Sequence, residues 1–136
     1  MAGNRSVLMV DGDLGALFVL AQEFEQRGIS LIPSAGARQA RSLMTKLNLR
    51  IKVLVVNCNL AGVCGLARKM LRQNIGIEVI GIVSGSDQCG SCREILIDAL
   101  PDAEIRDAQW IRKMVRLVAG RMSRGPVKTA LRATRS

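Results

Sequence analysis

Four cysteines are the residues whose type and spacing first indicate chemistry in this sequence: Cys58, Cys64, Cys89 and Cys92. The last two have the C-x-x-C spacing of redox and metal-binding motifs. Thiols that a fold brings together can bind zinc tetrahedrally or exchange a disulfide. Because only one pair is closely spaced, and because cysteine outside disulfides is among the most buried residue types, core packing is the competing interpretation, above all for Cys58. A thiol-based redox or zinc sensor at Cys64, Cys89 and Cys92 stays an alternative.

Histidine and tyrosine are absent, and the only aromatic residues are Phe18, Phe24 and Trp110. Histidine is the commonest general base and a common zinc ligand. Its absence excludes a Ser–His or Cys–His catalytic pair. Three aromatic residues are also too few for the stacking platforms on which proteins bind single-stranded nucleic acid.

The length and the hydrophobic content fit one folded domain. The chain has 136 residues, of which 49% are hydrophobic, and this excludes disorder as the global state. No apolar run reaches the length of about eighteen residues that a membrane span needs. Residues 1–6 lack the apolar stretch of a signal peptide. We therefore expect a cytoplasmic protein without a membrane span.

Short apolar runs alternate with amphipathic segments, and these elements must position any site. The runs predict strands at residues 7–10, 29–32, 52–56 and 79–83, and a weak last strand at 103–105. Apolar residues at three- and four-residue spacing predict helices around residues 14–24, 37–47, 66–73, 95–99 and 110–118. Five strands that alternate with five helices predict an α/β fold, with a parallel sheet covered on both faces.

Polar motifs follow three of the predicted strands. The first strand closes on Val10-Asp11-Gly12-Asp13, the third runs through Val53-Leu54-Val55-Val56-Asn57 into a loop with two glycines, and the fourth ends at Ser84. With these motifs the chain resembles, over residues 5–120, the CheY-like receiver domain of two-component response regulators. The resemblance implies a flavodoxin-like, doubly wound sheet of five parallel strands in the order 2-1-3-4-5, with helices on both faces in three αβα layers. It also implies a role in signal transduction.

The family that the chain resembles has a phosphorylation pocket at the strand ends. Its acids and an acceptor aspartate hold Mg²⁺, the acceptor takes up a phosphoryl group, and a hydroxyl and a lysine contact that group. The matching positions of this sequence, which form a degenerate pocket, are Asp11, Gly12, Asp13, Asn57, Ser84 and Arg106. Gly12 replaces the second acid, Asn57 the acceptor aspartate and Arg106 the lysine.

An asparagine at the acceptor position removes the chemistry that the resemblance implies. A carboxamide is a poor nucleophile and cannot form an acyl phosphate. Mg²⁺ prefers anionic oxygen ligands, and fewer acids remain to hold it. We therefore expect a pseudo-receiver that is not an enzyme, is not phosphorylated, and binds neither metal nor cofactor. Two interpretations of the pocket stay open: Asp11, Asn57 and Ser84 satisfy one another's hydrogen bonds, or the neutral pocket mimics one signalling state.

The net charge of +9 is concentrated at the end of the chain. Residues 106–136 carry nine lysines and arginines and one acid, whereas the preceding residues carry eleven bases and ten acids. We predict a receiver-like domain over residues 1–120, followed by a flexible basic tail over 121–136. The tail could follow a nucleic-acid backbone through electrostatics alone, dock on an acidic protein or membrane surface, or remain solvated. A nucleic-acid-associated regulatory module is therefore an alternative function.

The final predicted helix has more apolar surface than packing on a sheet requires. We predict there a face for a protein partner or a homodimer, formed by Trp110, Ile111, Met114, Val115 and Val118. In receivers the surface around the last strand and helix is the usual output surface, so the resemblance favours the same location. The sequence as a whole predicts a signalling domain that acts by binding a protein.

Overall fold

The computed structural model describes residues 6–47, 50–74, 76–84 and 93–123. Its centre is a sheet of five strands: β1 (Ser6–Val10), β2 (Ser30–Ser34), β3 (Ile51–Asn57), β4 (Glu78–Val83) and β5 (Asp98–Pro101). The strands lie in the order β2-β1-β3-β4-β5, and every neighbouring pair is parallel. The predicted fold class and strand order are confirmed.

The central strands are apolar throughout because both of their faces are covered. All five residues of β1 are buried, and so are the last five residues of β3. Side chains alternate along a strand, so Val7 and Met9 belong to one apolar cluster, while Leu8 and Val10 belong to the other. Burial on both faces explains why these strands are continuous apolar runs in the sequence.

Four helices of the described residues form the two outer layers: α1 (Leu14–Glu25), α2 (Ala37–Leu47), α3 (Val63–Gln73) and α4 (Ala108–Met122). Buried residues of α1 and α4, among them Phe24 and Met114, share one cluster with the sheet. Buried residues of α2 and α3, among them Ala40 and Leu66, share the other. The sheet therefore separates two cores in a three-layer arrangement.

The last strand lies before the segment that the sequence predicts. Residues 98–101 pair with β4, with Ala99 opposite Gly81, so Ala99 belongs to a strand and not to a helix. Residues 94–97 form a turn and a bend instead of the predicted helix, and Ile105 of the predicted strand is 78% exposed. A four-residue edge strand buries only Leu100, so its apolar signal is short. Pro101 is tolerated there because an edge strand can do without one ladder N–H.

The five residues predicted as an interaction face on the final helix are not accessible. Trp110, Ile111, Met114, Val115 and Val118 are all buried, at 7% exposure or less. Helix α4 packs against both β3 and α1, so its apolar side has to cover two elements and is correspondingly wide. The prediction of an interaction face formed by these residues is therefore wrong; they are the core-facing side of the helix.

The predicted tail falls largely outside the described residues, which end at residue 123. Residues 121 and 122, which the sequence assigns to the tail, belong to α4. Among the described residues, no helix combines the length and the hydrophobicity that a membrane crossing requires.

Candidate functional site

The carboxyl ends of the parallel strands bring the predicted pocket residues to one edge of the sheet, where open α/β folds bind their ligands. Asp11 follows β1, and its backbone N–H donates to the Ser34 carbonyl at 2.9 Å. Asn57 ends β3, and the next N–H, that of Cys58, donates to the Ile82 carbonyl at 2.9 Å. These ladder bonds fix both side chains on adjacent strands.

The carboxamide of Asn57 is a structural partner of the Asp11 carboxylate. Its Nδ2 donates to Oδ1 of Asp11 at 2.7 Å, and its Oδ1 accepts from the backbone N–H of Asn59 at 3.0 Å. Asp11 is fully buried, and Asn57 is 8% exposed. Both ends of the amide are thus used, and its orientation is fixed.

A guanidinium lies on the other side of the same carboxylate. Nη2 of Arg106 donates to Oδ1 of Asp11 at 3.0 Å, and Nη1 donates to Oδ2. The Nε and Nη2 atoms of Arg106 also donate to Oδ1 of Asp102, at 3.1 and 3.0 Å. The side chain of Arg106 is 5% exposed, so this two-pronged pairing is shielded from water.

Electrostatics keep this arginine charged. Burial lowers the pKa of Arg106, but hydrogen bonds to Asp11 and Asp102 and the charges of these two carboxylates raise it, and the net result is a pKa above the ordinary value. The Asp13 carboxylate adds a third negative charge, with 3.9 Å between its Oδ2 and Nε of Arg106. The pocket therefore holds a permanent cation that belongs to the chain.

The loop between β5 and α4 positions the guanidinium. The backbone N–H of Asp102 donates to the Val83 carbonyl at 2.8 Å, which fixes the start of the loop. Asp107 caps α4 by accepting from the Trp110 N–H at 2.9 Å, which fixes its end. The Trp110 ring lies beneath the guanidinium, with 4.6 Å between its centroid and Cζ of Arg106. This contact is a cation–π interaction.

Sequence reasoning missed Asp102 and Trp110 as members of this site. Each stands four residues from Arg106, on either side, which is a spacing that a helix would place on one face. Because Arg106 lies in a loop and not at a strand end, only the folded chain brings both residues to its guanidinium. The buried indole is also anchored, since its Nε1 donates to the Pro101 carbonyl at 2.9 Å.

The remaining predicted pocket residues lie at its rim. Ser84 donates through Oγ to Oδ1 of Asn59 at 3.1 Å. Asp13 caps α1, with its Oδ1 accepting from the Ala16 N–H at 3.0 Å. Gly12 is exposed, and no atom lies within 4 Å of a Cβ built on it. Space alone would thus admit an acid at residue 12.

The predicted thiol site is described only in part. Cys58, directly after β3, is buried, with 6% of the residue exposed. Cys64 is disulfide-bonded and lies in the first turn of α3. Cys89 and Cys92 lie outside the described residues. Within the part of the chain that the structure describes, no group of three or more cysteine, aspartate or glutamate side chains is arranged to hold a metal ion.

The donor atoms at the pocket do not fit the Mg²⁺ ion that receiver pockets hold. Both oxygens of Asp11 already accept hydrogen bonds from Arg106, and Asn57 offers a neutral oxygen that is bonded to Asn59. Mg²⁺ demands near-octahedral oxygen ligands and gains most from carboxylates. The pocket holds its acids in place through hydrogen bonds, and each oxygen of Asp11 already accepts one from Arg106.

Comparison with known proteins gives a consistent fold. No family model and no curated protein matches the chain. Among solved structures, the chain is similar to the non-phosphorylated HemR receiver domain from Leptospira biflexa, with 14% identity, 88% of this chain and 95% of that chain covered, and a TM-score of 0.70.

Two further structures extend this likeness. The receiver domain of a sensor histidine kinase from Pseudomonas aeruginosa, which has a magnesium ion coordinated in its active-site cleft, is 16% identical, with 89% of this chain and 99% of that chain covered and a TM-score of 0.65. An adenylate cyclase structure from Rhodopirellula baltica is 12% identical, with 98% of both chains covered and a TM-score of 0.69. The chain has a CheY-like receiver fold.

Proposed function

We propose that this chain is a receiver-like signalling domain that is not phosphorylated on a side-chain carboxylate and acts by binding a protein partner. One observation carries the proposal: the guanidinium of Arg106 pairs with both oxygens of Asp11, while the carboxamide of Asn57 stands at the end of the central strand. The receiver fold supports a role in signal transduction, and the residues of this pocket argue against phosphorylation at the acceptor position.

The acceptor position carries a neutral carboxamide, and hydrogen bonds hold that carboxamide at both ends. A carboxamide has no anionic oxygen with which to attack a phosphoryl donor. Its oxygen is moreover occupied by the Asn59 N–H at 3.0 Å, and its nitrogen by Asp11 at 2.7 Å. Rotation of the amide would expose no better group and would break both hydrogen bonds.

The cation that receivers take from solution is supplied here by the chain. To free Asp11 for a metal ion, Arg106 would have to leave a site in which its side chain is 5% exposed. Breaking a buried ion pair costs about 3–5 kcal/mol, and Mg²⁺, which usually binds through one or two carboxylates together with substrate oxygens, would find one carboxylate and a neutral amide in exchange. The pocket would therefore keep one electrostatic state, whatever the supply of phosphodonor or metal, and signalling would depend on which protein is bound.

Exposed apolar side chains on α1 support a protein contact there. Leu14 and Phe18 lie one helical turn apart, and they are 67% and 66% exposed. Val19 beside them is 41% exposed. Leu14 follows the α1 cap Asp13 directly, so this apolar surface begins at the rim of the pocket. Exposed apolar patches mark interaction sites, and α1 replaces the buried side of α4 as the proposed partner surface.

Intact-protein mass spectrometry after incubation with acetyl phosphate and Mg²⁺ tests the pocket. We expect no phosphoryl adduct on the native chain, and none on Asn57→Asp, because Arg106 would still pair with Asp11. The matched double variant, Asn57→Asp/Arg106→Lys, should take up one phosphoryl group, since lysine cannot make the two-pronged contact. An adduct on the native chain, or equal labelling of both variants, would refute the proposal.

Affinity capture from the native cell tests the partner surface. The native chain is the bait, and Leu14→Ser/Phe18→Ser is the matched control, since both side chains are exposed and their loss leaves the core intact. A protein retained by the native chain and lost with the variant is expected. If both baits retain the same proteins, α1 is not the contact surface.

A thiol-based function is a second candidate, favoured by the observation that Cys64 is disulfide-bonded. Alkylation without reductant, followed by mass spectrometry, should modify two of the four cysteines, and all four after reduction. Four alkylated cysteines in the unreduced protein would dismiss this candidate. The phosphodonor experiment is independent of this result.

A further inference from the structure

The solvent side of α4 carries a stripe of cations and no acid of its own. Arg112, Lys113 and Arg116 are exposed, and the helix contains no acid. None of the three forms an ion pair with a described residue. Arg121 differs, because its guanidinium is paired with two carboxylates of the sheet. It lies 3.6 Å from Glu78 of β4 and 3.9 Å from Asp98 of β5.

Grooves on both sides of this helix are lined by the same cations. The groove between α1 and α4 has a volume of about 430 Å³ and is lined by Arg27, Arg112 and Arg116, with Glu23 as its acid. The groove between β5 and α4 has a volume of about 400 Å³ and is lined by Lys113, Arg116 and Arg121, with Asp98 as its acid. Arg116 thus faces both grooves, and in each groove three cations outnumber one acid.

The sequence after α4 is also positively charged and contains no acid. From residue 108 to the end of the chain there are eight cations and no acid: Arg112, Lys113, Arg116, Arg121, Arg124, Lys128, Arg132 and Arg135. The stripe on α4 is therefore followed by more positive charge and by no negative charge. A long array of one sign is complementary to a polymer that carries a negative charge at every repeat.

The surface composition distinguishes a phosphate backbone from an acidic protein. Protein interfaces have an apolar core, but the exposed large hydrophobic side chains of the described residues lie outside α4, at Leu14, Phe18, Val19, Leu47, Ile97 and Ile105. Trp110, the only tryptophan, is buried, so the face has no stacking platform for single strands. Arginines and a lysine alone are what contacts to phosphate oxygens require.

We propose that the exposed side of α4 binds the sugar-phosphate backbone of double-stranded nucleic acid without reading its sequence. The ion pairs of the pocket include none of these helix cations, so this activity goes beyond the proposed signalling function. It would hold the domain on nucleic acid while α1 contacts a protein.

Fluorescence anisotropy with a labelled duplex of mixed sequence, over a series of salt concentrations, tests the proposal. The test variant is Arg112→Gln/Lys113→Gln/Arg116→Gln. The matched control, Arg38→Gln/Lys69→Gln/Arg72→Gln, removes the same charge from exposed positions of α2 and α3 on the opposite face. Each phosphate contact contributes about 0.9 to the slope of log affinity against log salt. The test variant should therefore lose about 2.7 from the slope and roughly 100-fold in affinity at about 0.15 M salt.

The control should keep the native slope, and circular dichroism should show both variants folded. Equal losses in the two variants would show that net charge alone matters and would overturn the proposal. Equal or tighter binding of poly-glutamate would overturn it in favour of an acidic protein. Equal or tighter binding of phosphatidylserine vesicles would overturn it in favour of an anionic membrane surface.

Discussion

Replacing Arg106 with methionine removes the cation from the pocket and leaves a buried carboxylate behind. Methionine keeps much of the length of the side chain and its contact with Trp110, but donates no hydrogen bond. The side chains of Arg106 and Asp11 are 5% and 1% exposed, so water cannot easily replace the lost partner. Removal of one member of a buried pair costs about 3–5 kcal/mol.

The lower end of that range is expected because Asp11 keeps two neutral donors. These are Nδ2 of Asn57 at 2.7 Å and the backbone N–H of Asp13 at 3.2 Å. We therefore predict that Arg106→Met lowers the free energy of unfolding by about 3 kcal/mol. For a domain of this size, that corresponds to a drop of roughly 10 °C in the melting temperature.

A double-mutant cycle separates the ion pair from other effects of the substitution. Urea unfolding of the native chain, Arg106→Met, Asp11→Asn and the double variant gives four free energies. Asp11→Asn removes the buried charge, so the second substitution should restore about 2 kcal/mol to Arg106→Met. A loss below about 1 kcal/mol in Arg106→Met, the level of an exposed pair, would refute the shielded pairing. Additive effects would refute the coupling between the two side chains.

Three further outcomes follow from single contacts. Because the folded-state pKa of Arg106 is raised, its contribution to stability is fully present below the pKa of the unfolded chain. The difference in unfolding free energy between the native chain and Asp11→Asn/Arg106→Met, which leaves no unpaired buried carboxylate, should therefore stay constant from pH 6 to pH 9, within about 0.5 kcal/mol; a change larger than that would contradict the assignment. Asp107→Ala removes the α4 cap and should cost about 1 kcal/mol in urea unfolding, whereas an unchanged midpoint would mean that the cap is not formed. Gly81→Ala would place a Cβ 2.6 Å from the Leu96 side chain and should cost about 1–3 kcal/mol; a neutral effect would show that this side chain can move aside.

The buried strands could be predicted because a strand that is covered on both faces is a continuous run of apolar residues. Residues 53–56 of β3 are fully buried on a two-sided sheet, so every one of them is apolar. The edge strand β5 has no such signal, since only Leu100 of its four residues is buried. Its pairing with β4 depends on the sheet that precedes it, and local pattern alone placed the strand too late.

The sequence predicts the pocket residues that adjoin strands. It does not predict the residues that come together only through the loop after β5. Asp11 and Asn57 adjoin strands that the sequence predicts, so their meeting at one edge follows from the topology. Asp102 and Trp110 reach Arg106 only because the loop after β5 folds back over the sheet edge. The apolar side of α4 was misread for a similar reason, because a neighbouring helix, α1, covers what a sheet alone would leave exposed.

A Mn²⁺ titration followed by the fluorescence of Trp110 tests most directly whether a side-chain cation holds the pocket. Trp110 is the only tryptophan, and its ring lies 4.6 Å from the guanidinium of Arg106, so a paramagnetic ion bound at Asp11 would quench it. The native chain should show no saturable quenching, whereas Asn57→Asp/Arg106→Met, with two carboxylates and no guanidinium, should show it. Saturable quenching of the native chain, abolished by Asp11→Asn, would contradict the account.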